Sequence, residues 1–97
     1  MKIYMIVHGF VQGVGYRSLV KHTAEKYSIK GMTKNMPDGS VSIFAEADKE
    51  TLERFEKEIF VDIKNGPQVH NIEKYDEGNE KFPKDLHSRE RFIIERS

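Results

Sequence analysis

The chain has 97 residues, and its 16 basic residues balance 16 acidic ones, so the formal net charge is zero with the histidines neutral. This length suffices for one domain, 1–97, and the balanced charge argues against the broad basic surface that nucleic-acid binding usually needs. The chain has no cysteine, which excludes a disulfide framework, a thiolate nucleophile and a cysteine-ligated metal.

The first predicted strand is Lys2–His8, a short apolar run rich in residues that favour strands. The run is too short for a secretory signal or a membrane span, so we expect a cytoplasmic protein. Three glycines in Gly9–Gly15 predict that the strand ends and a loop follows. Apolar residues at helical spacing then predict a first helix over Tyr16–Lys26.

A β-hairpin and a second helix are predicted next. The second strand covers Ile29–Met36, and the third covers Val41–Ala47, where apolar side chains alternate with others. Pro37-Asp38-Gly39 between them is a turn signal, because proline presets φ and glycine accepts a positive φ. Asp48 is a suitable N-cap for the second helix. The apolar face of this helix consists of Leu52, Phe55 and Ile59.

The sequence of the last third of the chain predicts two further strands and a long loop. A weaker fourth strand covers Val69–Tyr75, and a short last strand covers Phe92–Ile94. The polar stretch between them contains Gly78 and Pro83 and is predicted to be a surface loop. This order of elements is typical of the α+β, ferredoxin-like split βαβ sandwich (βαββαβ), with a short extra C-terminal strand. We expect two helices on one face of a mainly antiparallel sheet.

This topology brings distant parts of the chain together. The first and second strands run parallel with the third between them, so their C-terminal ends lie at the same edge of the sheet. The glycine-rich loop leaves the first strand at that edge, and Asn35 lies near the end of the second. Two strand spacings are roughly 10 Å, a gap that a loop and an arginine side chain can bridge.

The loop from Gly9 to Arg17, GFVQGVGYR, indicates an anion site. Its spacing matches neither a Walker P-loop nor a dinucleotide-binding fingerprint. Backbone N–H groups converge where a glycine-rich turn enters a helix, and the helix N-terminus adds partial positive charge. The positive charge of Arg17 is unfavourable at a helix N-terminus, unless an anion lies between the guanidinium and the loop. The guanidinium can bind two oxygens of a phosphate at once. From the residues alone, a tight turn with a surface arginine is the alternative.

The GFVQGVGYR segment resembles the first signature of the acylphosphatase family, and residues 31–41, GMTKNMPDGSV, resemble its second. Gly66-Pro67 before the fourth strand also matches. Met32 stands where the family usually has tryptophan, and Lys34 stands where arginine is common. The likeness covers nearly the whole chain, and only the stretch from Glu77 to Arg91 is longer than usual.

The resemblance implies metal-independent hydrolysis of the carboxyl-phosphate bond of small-molecule acyl phosphates, with no cofactor. It implies that Arg17 binds the phosphate and that Asn35 orients the attacking water. A backbone phosphate cradle is implied for Gln12, Gly13, Val14, Gly15 and Tyr16. We further expect a monomer without nucleic-acid or membrane partners. Phosphate or sulfate is expected to be able to occupy its site.

Other functions remain open at this point. One is a non-catalytic anion-binding or regulatory module on the same scaffold, and another is a domain of a larger enzyme. An RNA-binding domain of related topology would need exposed aromatic side chains on its sheet, where the third strand offers only Phe44.

Four residues near the loop each have a functional and a structural interpretation. Phe10 and Tyr16 could line the acyl side of the substrate site or pack in the core. His8 could touch a ligand or be an ordinary strand residue, and we favour the latter. Asp38 could be an acid near the site, but its place in the turn favours a turn role.

Overall fold

A computed structural model describes residues 1–96, so Ser97, the last residue of the predicted domain, lies outside the described residues. The elements are β1 (Lys2–Phe10), α1 (Tyr16–Lys26), β2 (Lys30–Asn35), β3 (Val41–Glu46), α2 (Lys49–Ile59), β4 (Gln68–Asp76) and β5 (Phe92–Ile94). Within residues 1–96 no helix is both long enough and apolar enough to cross a membrane.

The five strands form one sheet in the order β4-β1-β3-β2-β5. β1 pairs antiparallel with β3 and β4, β2 pairs antiparallel with β3, and β5 pairs parallel with β2. Apolar side chains of both helices and of one sheet face form a single core. These pairings confirm the predicted ferredoxin-like sandwich and its extra C-terminal strand.

The register confirms the convergence that the topology predicted. Val41 of β3 pairs with Val7 of β1 on one side and with Asn35 of β2 on the other. β1 and β2 therefore end at the same edge of the sheet, two strands apart. Asn35 is the last residue of β2, and the loop that follows β1 leaves the sheet at this same edge.

The predicted end of the first strand at His8 is wrong. β1 continues to Phe10, because Gly9 and Phe10 pair with Val69 and Gln68 of β4 after a bulge between His8 and Gly9. The second strand is shorter than predicted at both ends. The Ile29 N–H still bonds to a carbonyl of α1, and the Met36 N–H belongs to the hairpin turn.

The segment between β4 and β5 lies over the sheet face opposite the helices. Its Phe82 ring packs edge-on against Phe44 and Tyr4, with centroids 6.1 and 6.5 Å away. Phe44 is consequently only 1% exposed, although its strand position faces away from the helices. The aromatic side chain that base stacking on this sheet would need is covered.

Candidate functional site

The loop that joins β1 to α1 turns at two glycines in the left-handed region. Gly13 and Gly15 have φ values of 76° and 78°, in the left-handed region that glycine adopts without steric cost. Gly15 is the N-cap of α1, and its carbonyl accepts a 3.1 Å hydrogen bond from the Leu19 N–H. Left-handed residues that alternate with right-handed ones are the backbone pattern from which concave anion-binding nests are built.

Arg17 lies in the first turn of α1, half-buried, and lines a cavity of about 120 Å³. The first turn of α1 contains no acidic residue, and among the described residues none that lines the cavity is acidic. The cavity therefore combines a helix N-terminus with a guanidinium, which favours a small anion. Its other lining residues are Val11, Gly13, Gly15, Tyr16, Ser18, Ile94 and Arg96.

Asn35 is half-buried at the end of β2 and lines a second, more open cavity of about 460 Å³. Its Oδ1 atom is buried and has no hydrogen-bond partner within residues 1–96. An unpaired buried carbonyl oxygen costs about 1–3 kcal/mol, so this amide has acceptor capacity that the fold does not use. The other residues of this cavity are Gln12, Lys34, Met36 and Pro37.

Gln12 connects the loop to the β2–β3 hairpin. Its Nε2 atom donates two hydrogen bonds of 2.8 Å, to the carbonyl oxygens of Met36 and Ser40. The sequence implied a role for the Gln12 backbone, whereas the side chain forms a tether that sequence analysis missed. The tether places the loop beside Asn35.

The side chain of Tyr16 is part of the core. It is 1% exposed, and its hydroxyl donates a 2.9 Å hydrogen bond to the Ile59 carbonyl at the end of α2. Burial raises the pKa of this phenol far above its usual value. Tyr16 therefore does not offer its ring to an acyl group, whereas Phe10 is 54% exposed and lines neither cavity.

The structure divides the predicted site residues between two cavities. Gly13, Gly15, Tyr16 and Arg17 line the smaller cavity, and Gln12 lines the larger one with Asn35. Half-buried Val14 lines neither of them. Sequence analysis missed Ile94 and Arg96, because the local pattern of a short strand does not show which strand it pairs with.

The remaining candidates have structural partners. His8 Nε2 lies 2.5 Å from Glu73 Oε2, and Tyr75 donates to the other oxygen of Glu73. Both hydrogen bonds lower the pKa of Glu73, and the one from Tyr75 has the larger effect.

Asp38 has the predicted turn role. Its Oδ1 accepts hydrogen bonds from the Ser40 hydroxyl at 2.6 Å and the Ser40 N–H at 3.0 Å, which lower the pKa of this carboxyl. Among the residues that the structure describes, no three histidine or acidic side chains form a group that could hold a metal ion.

Comparison with known proteins adds independent information. The model of a family described as acylphosphatase matches residues 3–94. An acylphosphatase of Listeria monocytogenes serotype 4b (strain F2365) is 53% identical over 62 residues, which are 63% of this chain and 61% of that protein. The match thus spans about three-fifths of that relative's length. An acylphosphatase of Methanospirillum hungatei JF-1 is 42% identical over 71 residues, covering 73% of this chain and 78% of that protein.

Solved structures share the fold over nearly the whole chain. The crystal structure of acylphosphatase from Bacillus subtilis has a TM-score of 0.77 and 32% identity, and covers 96% of each chain. The crystal structure of HypF from T. kodakarensis has a TM-score of 0.77 and 27% identity. That match covers 98% of this chain but only 12% of the HypF chain, so this type of domain also occurs within a much larger protein.

Proposed function

Because the chain belongs to the acylphosphatase family, we propose that it hydrolyses the carboxyl-phosphate bond of small-molecule acyl phosphates to a carboxylate and inorganic phosphate. The observation that carries this proposal is the cavity that Arg17 and the two left-handed glycines of the loop line, with no acidic side chain among the described residues. Asn35 lines a separate cavity, which Gln12 of the same loop also lines.

The loop from Gln12 to Arg17 is proposed to hold the phosphoryl group. Its backbone N–H groups and the Arg17 guanidinium donate hydrogen bonds to the equatorial oxygens. Phosphoryl transfer depends mainly on positioning and on stabilising charge on those oxygens. A preformed nest and a half-buried guanidinium supply both, and the same cradle accommodates the product phosphate or a sulfate.

Asn35 is proposed to orient the attacking water. A carboxamide oxygen accepts a hydrogen bond from water, and the Asn35 oxygen has no other partner within residues 1–96. Rotation of the Asn35 side chain into the cavity that it lines exposes this buried oxygen to water. Its pairing with Val41, in the same row as Val7 of β1, fixes the backbone of Asn35 three residues before the end of β1 at Phe10, from which the loop continues. Asn35 thus holds the water in line for attack on phosphorus. This raises the effective concentration of the nucleophile and fixes its direction of attack.

The substrate makes further catalytic groups unnecessary. The leaving group is a carboxylate, which is a stable anion at neutral pH, so no general acid has to protonate it. The water's proton passes to an oxygen of the substrate's own phosphate in this proposal. We further propose that the protein acts as a cytoplasmic monomer and that neither a metal ion nor a nucleic acid takes part.

Hydrolysis of benzoyl phosphate in EDTA tests the proposal, with Arg17→Gln and Asn35→Ala as site variants. Arg54→Gln and Asn71→Ala are matched controls, because both residues are exposed on elements outside the two cavities. Circular dichroism establishes that each variant is folded.

We expect Arg17→Gln to lose about 10²–10³-fold in kcat/KM, the size seen when one transition-state donor is removed. Asn35→Ala should lose about 10²-fold or more, because the attacking water loses the acceptor that orients it. The controls should retain the parent's rate. A folded parent that is no faster than buffer would refute the enzyme proposal, and phosphate binding without turnover would favour the non-catalytic module.

A further inference from the structure

Arg96 follows β5 into the region of the site. Ile93 and Ile94 pair in parallel with Met32 and Thr33, and the Glu95 N–H continues the ladder with a 2.8 Å hydrogen bond to the Thr33 carbonyl. Continued by two residues, this register sets Arg96 level with Asn35 on the neighbouring strand. The chain thus reaches the site from β5 as well as from β1 and β2.

Strand alternation shows which way this segment faces. The Phe92 ring packs in the core against Phe55 of α2, with centroids 6.3 Å apart. Residues two and four positions later share that face of the sheet, which is the helix face. Accordingly, Ile94 and Arg96 both line the cavity of about 120 Å³ that Arg17 lines from the start of α1.

The charged side chains that line this cavity among the described residues are all cationic. Two guanidinium groups line it, one from each end of the chain, and no carboxylate among the described residues does so. Two like charges in one small cavity repel each other unless an anion lies between them. A phosphoryl group carries negative charge on several oxygens, and guanidinium forks bind such oxygens in pairs.

We propose that Arg96 is a second phosphate-binding guanidinium, which contacts the phosphoryl group from the β5 side while Arg17 contacts it from α1. This inference rests on the proposed function for its substrate. It deepens that function by making the site selective for a phosphoryl group held between two cations. Because substrate and product share this group, Arg96 should affect KM and the affinity for inorganic phosphate more than kcat.

The test combines calorimetry of inorganic phosphate binding with the kinetics of benzoyl phosphate hydrolysis. The variants are Arg96→Gln and Arg96→Lys. Arg91→Gln is the matched control, because Arg91 is exposed just before β5, lines neither cavity, and bonds to Gly31 only through its backbone carbonyl. Circular dichroism establishes that each variant is folded.

We expect Arg96→Gln to weaken phosphate binding and to raise KM by about tenfold, with a change in kcat of less than about threefold. Arg96→Lys should restore part of the affinity, because it keeps the charge but loses the fork. The Arg91→Gln control should bind phosphate within about twofold of the parent.

Several outcomes would overturn the inference. These are a parent that binds no phosphate, an Arg96→Gln variant with unchanged affinity, or an equal loss in the Arg91 control. A fall in kcat at unchanged phosphate affinity would also exclude the role. If the parent binds phosphate but does not hydrolyse benzoyl phosphate, the proposed function fails, while the calorimetry still decides the role of Arg96.

Discussion

Gln12 Nε2 donates a 2.8 Å hydrogen bond to the carbonyl of Met36, the residue that directly follows Asn35. The same nitrogen donates a second bond of 2.8 Å to the carbonyl of buried Ser40. One side chain therefore joins the loop that follows β1 to both sides of the β2–β3 turn. The loop and the strand end that carries Asn35 are therefore held as one unit.

Gln12→Glu should break the connection between the loop and the β2–β3 turn. The substitution keeps the shape but replaces both donors by carboxylate oxygens that face two carbonyls. We expect the free energy of unfolding in urea to fall by about 2–3 kcal/mol. We also expect kcat for benzoyl phosphate to fall by about ten- to a hundredfold, because the water and the phosphoryl group lose their alignment.

Gln68→Glu is the control for the added charge, because Gln68 is half-buried on β4 and lines neither cavity. It should retain most of the parent's kcat. Equal losses in the two variants would show that added charge, rather than the tether, is responsible.

Tyr16→Phe should destabilise the contact between the two helices. The substitution removes the Tyr16 hydroxyl. The Ile59 carbonyl at the end of α2 then loses the 2.9 Å hydrogen bond that it accepts from this hydroxyl. We expect a loss of about 1–3 kcal/mol in the free energy of unfolding, the usual cost of a buried polar group left unpaired. An unchanged urea midpoint would show that this carbonyl finds another partner.

The same phenol should make stability depend on alkaline pH. Burial raises the pKa of Tyr16 above its usual value of about 10, so the unfolded chain loses this proton at a lower pH than the folded one. The contribution is complete below pH 10 and is lost as pH rises from there towards the folded pKa. In thermal melts, Tyr16→Phe should therefore lose less stability than the parent between pH 9 and 11; parallel curves would contradict this.

Asp38 should contribute to stability at neutral pH but not in acid. The hydrogen bonds from Ser40 lower its pKa, so the contribution is present above the usual carboxyl range and is lost as pH falls through the lowered folded value. Asp38→Asn should reduce the fall in Tm between pH 5 and 2. The exposed residue Asp62 provides the control, and an identical curve for Asp62→Asn would exclude a specific role for the turn.

Phe82→Ala should uncover the sheet face opposite the helices. The ring makes edge contacts with Phe44 and Tyr4, so its loss should cost about 1–2 kcal/mol in urea unfolding and increase the binding of a hydrophobic dye. Phe60→Ala is the matched control, because Phe60 is 50% exposed, and its loss should cost no more than about 0.5 kcal/mol. Equal costs would show that Phe82 does not hold the segment on the sheet.

Local pattern alone determined much of the fold. The bounds of α1 agree with the prediction, because a glycine-rich turn and a helical apolar period mark its start and its buried face within a few residues. The hairpin turn at Asp38 and the N-cap at Asp48, whose carboxylate accepts a 2.7 Å bond from the Thr51 N–H, are equally local. The candidate roles of Arg17 and Asn35 came from motifs that resemble a family.

Only the tertiary structure decided which distant groups meet. The tether from Gln12, the burial of Phe44 beneath Phe82 and the position of Arg96 beside Arg17 each join segments far apart in the sequence. Such contacts depend on strand order, register and the path of a loop over a sheet face, and none of these leaves a periodic signal in the residues themselves. The chain encodes its elements by short-range preferences, whereas the site exists only once the sheet has brought three strand ends together.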